Sequence, residues 1–65
     1  MRSYKIFGIR QGGAEEYVNT VYNAQDAKTI HAAMIRGDYY DEMVVRDCLG
    51  GKVMHKNLKK TVDAA

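Results

Sequence analysis

Residues 23–37 read NAQDAKTIHAAMIRG, and this stretch contains the signals for both ends of a helix. Asn23 is a favoured N-cap residue, and Asp26 follows where a carboxylate meets the free N–H groups of the first turn. Arg36 falls in the last turn, where a cation complements the helix dipole. We expect Gly37 to close the helix in the left-handed conformation, as glycine commonly does at this position. The pattern therefore predicts one helix between these caps.

The end of this helix also spells Arg36-Gly37-Asp38, the tripeptide that adhesion ligands present to integrins. The predicted helix, residues 24–36, explains the three residues as a last-turn cation, a capping glycine and the first loop residue. Neither a signal-peptide pattern nor a disulfide framework accompanies the tripeptide. The sequence therefore favours a helix end over an adhesion signal.

Runs of β-forming residues flank the helix on both sides, two before it and two after it. Gly12-Gly13 separates the first two runs, and a turn through Leu49, Gly50 and Gly51 separates the last two. Each pair therefore predicts a β-hairpin. The predicted strands are residues 3–11, 16–22, 42–48 and 52–56.

The order β-β-α-β-β predicts an α+β fold, in which one helix packs on one face of a four-stranded antiparallel sheet. If the first and third strands lie in the middle, the order is 2-1-3-4 and every neighbouring pair is antiparallel. Hydrophobic pattern alone fixes no strand order, so other orders stay open. The length of 65 residues predicts a single domain, with a flexible basic C-terminal tail at about residues 57–65.

Composition narrows the class of protein. Apolar residues make up 46% of the chain and charged residues 28%, which is typical of a globular domain. No stretch approaches the roughly 20 apolar residues of a membrane span, and the lone Cys48 cannot form an internal disulfide. Small secreted domains are usually rich in disulfides, so we expect a cytoplasmic protein with a structural, buried cysteine.

Catalytic and metal-binding roles are not favoured by the residues available. His31, Cys48 and His55 do not have the spacing of a zinc site, and a Cys48–His55 pair would lack a group to orient the imidazole or stabilise an oxyanion. The two Gly-Gly pairs lack the lysine and helix context of a phosphate loop. We therefore expect a protein that is not an enzyme and that uses no cofactor and no metal.

The second face of the sheet is the first candidate for function. Apolar residues occur at both parities of the first and third strands, whereas one helix covers only one face. Exposed apolar patches of more than a few hundred Å² usually have a partner. Polar side chains or the tail could instead cover this patch, and the sequence does not say which face the helix covers. The candidate interface residues are Phe7, Ile9, Val44 and Arg46.

These observations favour a protein-binding module that either self-associates or occupies a surface of a larger protein as an accessory or inhibitor. In size and layout the chain resembles small proteins of bacteriophages and mobile elements that bind a host protein. The alternative is a nucleic-acid-binding module, in which tyrosines on the sheet stack on bases and lysines contact phosphates. The candidate nucleic-acid contacts are Lys52, Lys56, Lys59 and Lys60.

Overall fold

The computed structural model describes residues 2–58, and its elements follow the predicted order. The four strands form one antiparallel sheet in the order β2-β1-β3-β4, and one helix packs on it. This confirms the predicted α+β fold and strand order. The elements are β1 (Tyr4–Ile9), β2 (Glu16–Val21), α1 (Ala24–Gly37), β3 (Glu42–Asp47) and β4 (Lys52–Asn57).

The helix begins as predicted. Asn23 has extended backbone angles, and its side-chain oxygen accepts a hydrogen bond from the backbone N–H of Asp26 at 2.8 Å. This bond pairs one of the N–H groups that the first turn leaves without a helical partner.

The helix ends one residue later than predicted. Asp38, with φ 55° and ψ 31°, is the left-handed residue, and Gly37 is the last helical residue, so the prediction for Gly37 is wrong. The N–H of Asp38 donates to the carbonyl oxygens of Met34 and Ile35, both at 3.2 Å. Aspartate is among the few residue types that tolerate left-handed angles, which is why the cap can fall on it instead of on the glycine.

The side chain of Asp47 stabilises the turn of the second hairpin. Its Oδ1 accepts hydrogen bonds from the backbone N–H groups of Leu49 at 3.0 Å and Gly51 at 2.9 Å, and Gly50 adopts a positive φ of 91°. This confirms the predicted turn chemistry, with an acid at the start and glycine in the left-handed position.

The core lies on one face of the sheet, beneath α1. Directly opposed residues of β1 and β3 share this face, and α1 contributes Met34 to it. The helix lies closest to β2 and therefore covers the β2–β1 half of the sheet more fully than the β3–β4 half. The buried residues of this cluster are Ile6, Val21, Met34, Met43 and Val45.

Two residues of the predicted tail belong to the fold. Asn57 is the last residue of β4, where it pairs with Glu42, and Leu58 packs against the core. The N–H of Leu58 also donates to the carbonyl of Asp41 at 2.8 Å. The rest of the predicted tail, residues 59–65, lies outside the described residues. Within residues 2–58, no helix has the length and apolar character needed to cross a membrane.

Gly8 provides the closest approach between the sheet and the loop that enters β3. It lies on the helix-bearing face of β1, and the ring of Tyr40 packs directly on its backbone. A Cβ atom at this position would lie 2.7 Å from Cδ2 of Tyr40 and closer still to two other ring atoms. Any side chain here would therefore displace the ring.

We expect Gly8→Ala to lower the free energy of unfolding by about 1–3 kcal/mol, the usual cost of overpacking. Chemical denaturation followed by circular dichroism would measure it. In a Tyr40→Ala background the same change should cost less, because the atoms that it overlaps are gone. An equal cost in both backgrounds would contradict the contact.

Gly37→Ala should instead raise the free energy of unfolding by about 0.5 kcal/mol, because Gly37 is helical and its Cβ would meet no atom within 4 Å. Asp38→Val should lower it by about 1 kcal/mol or more, since a β-branched residue is unfavourable in the left-handed region. The same denaturation experiment tests both. Destabilisation by Gly37→Ala would place the left-handed residue at Gly37 after all.

Candidate functional site

A groove of about 430 Å³ lies between α1 and the β3–β4 hairpin, on the helix-bearing face of the sheet. We call it the α1–β4 groove. Its helix side is a stripe from the first two turns of α1, with the three- and four-residue spacing that places side chains on one face. These residues are Ala24, Ala27, Lys28 and His31, with Asn23 and Tyr4 at one end of the groove.

The sheet side of the groove is apolar and comes from both strands of the second hairpin. Met43 and Val45 are core residues, whereas Val53 and Met54 are 53% and 38% exposed. The pairing register shifts between Val45 and Arg46, so Val53 has no direct partner on β3 and bulges from the ladder. Lys56 completes this side.

The groove is open because β4 is an edge strand. All six residues of β4 are exposed, and the helix lies toward the opposite edge of the sheet. Exposed apolar side chains therefore lie on the helix-bearing face, beside the helix, whereas the prediction placed the exposed apolar patch on the face away from the helix.

The charged side chains that line the groove within the described part of the chain have one sign. Its lining among residues 2–58 contains Lys28 and Lys56, together with His31, but no carboxylate. Neither lysine forms an ion pair with another described residue. The groove thus combines an apolar surface with cations that form no ion pair with the side chains that the structure describes.

The four predicted interface residues share the opposite face of the sheet, as their parity predicts. Phe7 pairs with Val44. Ile9 lies two residues after Phe7 on β1, and Arg46 lies two residues after Val44 on β3, so all four side chains share one face. Val44 is only 1% exposed, however, and the other three are half-buried. That this face binds a partner stays a prediction, but Val44 offers almost no surface for one.

Polar and aromatic side chains occupy this opposite face. Arg46 donates hydrogen bonds to both carboxylate oxygens of Glu15, at 2.9 and 2.7 Å, and the rings of Phe7 and Tyr17 meet edge to face at 6.1 Å. His55 lies 2.6 Å from a carboxylate oxygen of Glu42. These contacts agree with the alternative in which polar groups cover the second face.

The two-point contact between Arg46 and Glu15 has an electrostatic consequence. The hydrogen bonds from Arg46 hold the pKa of the Glu15 carboxyl below its usual range, and the same contact raises the pKa of Arg46. A bidentate pair of this kind fixes both side chains more firmly than a single contact does.

The predicted nucleic-acid contacts fall in two groups. Lys52 and Lys56 are exposed on β4, where the structure leaves them accessible to a ligand. Lys59 and Lys60 lie outside the described residues. Glu15 and Glu42 place carboxylates on the face away from the helix, where they pair with its basic groups.

The residues weighed for catalysis are not brought together. His31 lines the groove on one face, whereas His55 pairs with Glu42 on the other. Cys48 is exposed in the turn after β3, so the expected burial of this cysteine is wrong; a turn tip has no core to enclose it. Residues 2–58 contain no group of three or more ligands that could hold a metal ion.

A second depression lies at the other end of the helix, but its charged groups bind one another. Arg10 pairs with Glu16 at 2.9 Å, and its guanidinium lies 4.7 Å from the centre of the Tyr39 ring. Gln11 donates its backbone N–H to the carboxylate of Asp41. These contacts hold the loops together, so we regard this depression as structural.

Comparisons of this chain with protein-family models, curated proteins and solved structures find no match.

The α1–β4 groove was not predicted from the sequence. Two signals pointed to it: the run Val53-Met54 on the last strand, and a helix stripe on which small alanines precede Lys28 and His31. Both were present, but the groove also depends on where the helix lies across the sheet, which periodicity does not give.

The Glu15–Arg46 pair can be tested by pH titration. Replacing Arg46 with methionine should raise the pKa of Glu15 toward its ordinary value, which NMR titration of the side-chain carboxyl would measure. Because the folded-state pKa is depressed, the pair should contribute stability above the ordinary carboxyl pKa and lose it as pH falls. An unchanged Glu15 pKa in Arg46→Met would contradict the pairing.

Proposed function

We propose that this protein is a non-enzymatic protein-binding module and that the α1–β4 groove is its docking site. One observation carries the proposal: an open, apolar groove borders a fully exposed edge strand, with cations and no carboxylate in its described lining. Surfaces of this kind on small proteins usually mark an interaction site. The proposal places the protein in the cytoplasm, as expected from its single cysteine.

The groove supports a binding role better than the opposite face does. Its apolar side chains Val53 and Met54 are substantially exposed, whereas Val44 at the centre of the other face is buried. Binding would remove these two side chains from water, and the hydrophobic effect would stabilise the complex. We therefore expect the partner to bind at this face. The protein would then be an accessory or inhibitor that covers a surface of a larger protein, as small phage proteins do.

Substitutions at the groove should abolish capture of the partner without unfolding the protein. Met54→Glu adds a charge to the apolar side of the groove, and Ala24→Glu adds one at the helix start, where an acid also complements the helix dipole. Ile35→Glu is the matched control, because Ile35 is an exposed apolar helix residue outside the groove lining. Affinity capture from the source cells, with thermal midpoints measured in parallel, would compare the three.

We expect one dominant protein to be captured by the native chain and by Ile35→Glu, and to be lost with both groove variants at nearly unchanged thermal midpoints. Equal capture by all four chains would overturn the groove as the docking site. Sedimentation at twice the 7.3 kDa chain mass, abolished by the same groove variants, would identify a second copy as the partner.

Nucleic acid is the alternative partner, because Lys52 and Lys56 are exposed on β4. A protein that neutralises several phosphates loses affinity steeply as salt rises, whereas an apolar contact is much less sensitive. Oligonucleotide binding that falls steeply with salt and disappears when these lysines are neutralised would favour this alternative.

A further inference from the structure

We infer that the partner presents an acidic, amphipathic helix, which lies beside α1 on the β3–β4 half of the sheet. This inference rests on the proposed function and specifies the chemistry of the docking segment. It follows from three features of the described residues: the width of the sheet, the charges of the groove and the character of its edge strand.

The sheet has room for a second helix on the face that carries α1. Neighbouring strands lie about 4.8 Å apart, so the outer strands of four are about 14 Å apart, and side chains extend the face further. A helix with its side chains is about 10 Å across, and packed helices lie about 8–10 Å apart. Since α1 lies toward β2, the part of the face that the described residues leave uncovered can accept one more helix.

The length of the free face also suits a helix. Strands of six residues span roughly 20 Å, and α1 with its 14 residues spans about 21 Å. The groove lining on α1 runs from Ala24 to His31, a rise of about 11 Å, so about two turns of a docked helix would lie in the groove itself. Its apolar stripe would contact the exposed side chains Val53 and Met54 on the sheet side and Ala27 on the helix side.

The charges of the groove select an acidic partner. Lys28 on the helix side and Lys56 on the sheet side face a bound helix from its two flanks, and no described residue pairs with either. Glutamates flanking the apolar stripe of the partner would neutralise both. A basic helix would bring like charges together, which disfavours binding.

A second copy of this chain does not supply such a helix. The apolar stripe of α1 already packs on its own sheet through Ile30 and Met34, and its exposed surface carries Lys28 and Arg36. Residues 59–65 of the chain begin with Lys59-Lys60 and contain a single acid, so their composition does not match the groove either.

Addition of an extended strand to β4 is also less favourable. Proteins protect edge strands from pairing with another chain by means of charged side chains and bulges. In β4, Lys52, Lys56 and the bulge at Val53 are features of this kind. The bulge twists the edge, whereas it leaves the groove beside α1 open. A helix in the groove requires no backbone pairing to β4.

The inference can be tested with designed peptides of about 14 residues that place leucine on one helical stripe. The acidic peptide carries glutamate on both flanks, the basic peptide carries lysine there, and a third peptide has the acidic composition with its leucine stripe scrambled. Fluorescence anisotropy would measure affinity for the folded chain, circular dichroism would measure helix formation, and backbone NMR would locate the bound peptide.

We expect the acidic peptide to bind at Val53 and Met54, to gain helix on binding, and to bind at least about tenfold tighter than either other peptide. The double variant Lys28→Glu/Lys56→Glu should reverse the order and prefer the basic peptide. Lys5→Glu/Arg36→Glu, which makes the same charge change outside the groove lining, should keep the native preference.

Equal binding of the acidic and basic peptides, or of the scrambled one, would overturn the inference, and so would peptide bound to β4 without helix formation. Failure of the inference is distinguishable from failure of the proposed function. If capture of the cellular partner depends on Met54 and Ala24 but the acidic peptide neither binds nor competes, the groove is the docking site and its occupant is not this helix. If capture is independent of the groove, the proposed function itself fails.

Discussion

The contact between Gly8 and Tyr40 lies where the two halves of this protein join through the pairing of β1 with β3, and it constrains that junction. The first hairpin and helix form one half of the chain and the second hairpin the other, and no disulfide or metal site within residues 2–58 links them. The Tyr40 ring packs on the bare backbone of β1 just before the chain enters β3. Its hydroxyl donates to Glu16 on β2 at 3.3 Å, so one side chain spans two strands.

Backbone bonds on either side of Tyr40 extend this junction. Asp41 donates its N–H to the carbonyl of Ile9 at 2.8 Å and accepts from the N–H of Leu58 at the same distance. The loop before β3 is thereby bound to the end of β1 and to the end of β4. Because a shift of one residue would reverse every side chain of β3 between the two faces, these contacts help to fix which residues are buried.

The position of the groove follows from the lengths of the connections. Only Tyr22 and Asn23 separate β2 from α1, so the helix begins next to the end of β2 and remains near that edge of the sheet. The four residues that lead from α1 to β3 then cross to the far side of β1. The short β2–α1 connection keeps the helix near β2, and the α1–β3 connection places β3 on the other side of β1. Together they leave the β3–β4 half of the face less covered by the helix.

Most of the fold could be predicted from local chemistry, because caps, turns and β-forming runs act over a few residues. Asn23 and Asp47 are examples whose side chains make the bonds that their positions suggest. The helix end was misplaced because Gly37 and Asp38 can both terminate a helix, and the tertiary structure selects between them. The groove could not be predicted because it depends on the lateral position of α1, which no local pattern encodes.

The two faces of the sheet differ because the acids of this chain are unevenly distributed in space. On the face away from the helix, Glu15 pairs with Arg46 and Glu42 pairs with His55. The acids on that face are therefore paired with basic groups of the same chain. In the groove the described lining contains cations and no acid. The chain has eight acidic residues, yet none of those within residues 2–58 lines the groove. On the helix-bearing face the described residues leave both apolar side chains and charges without partners, so an external partner would gain most there.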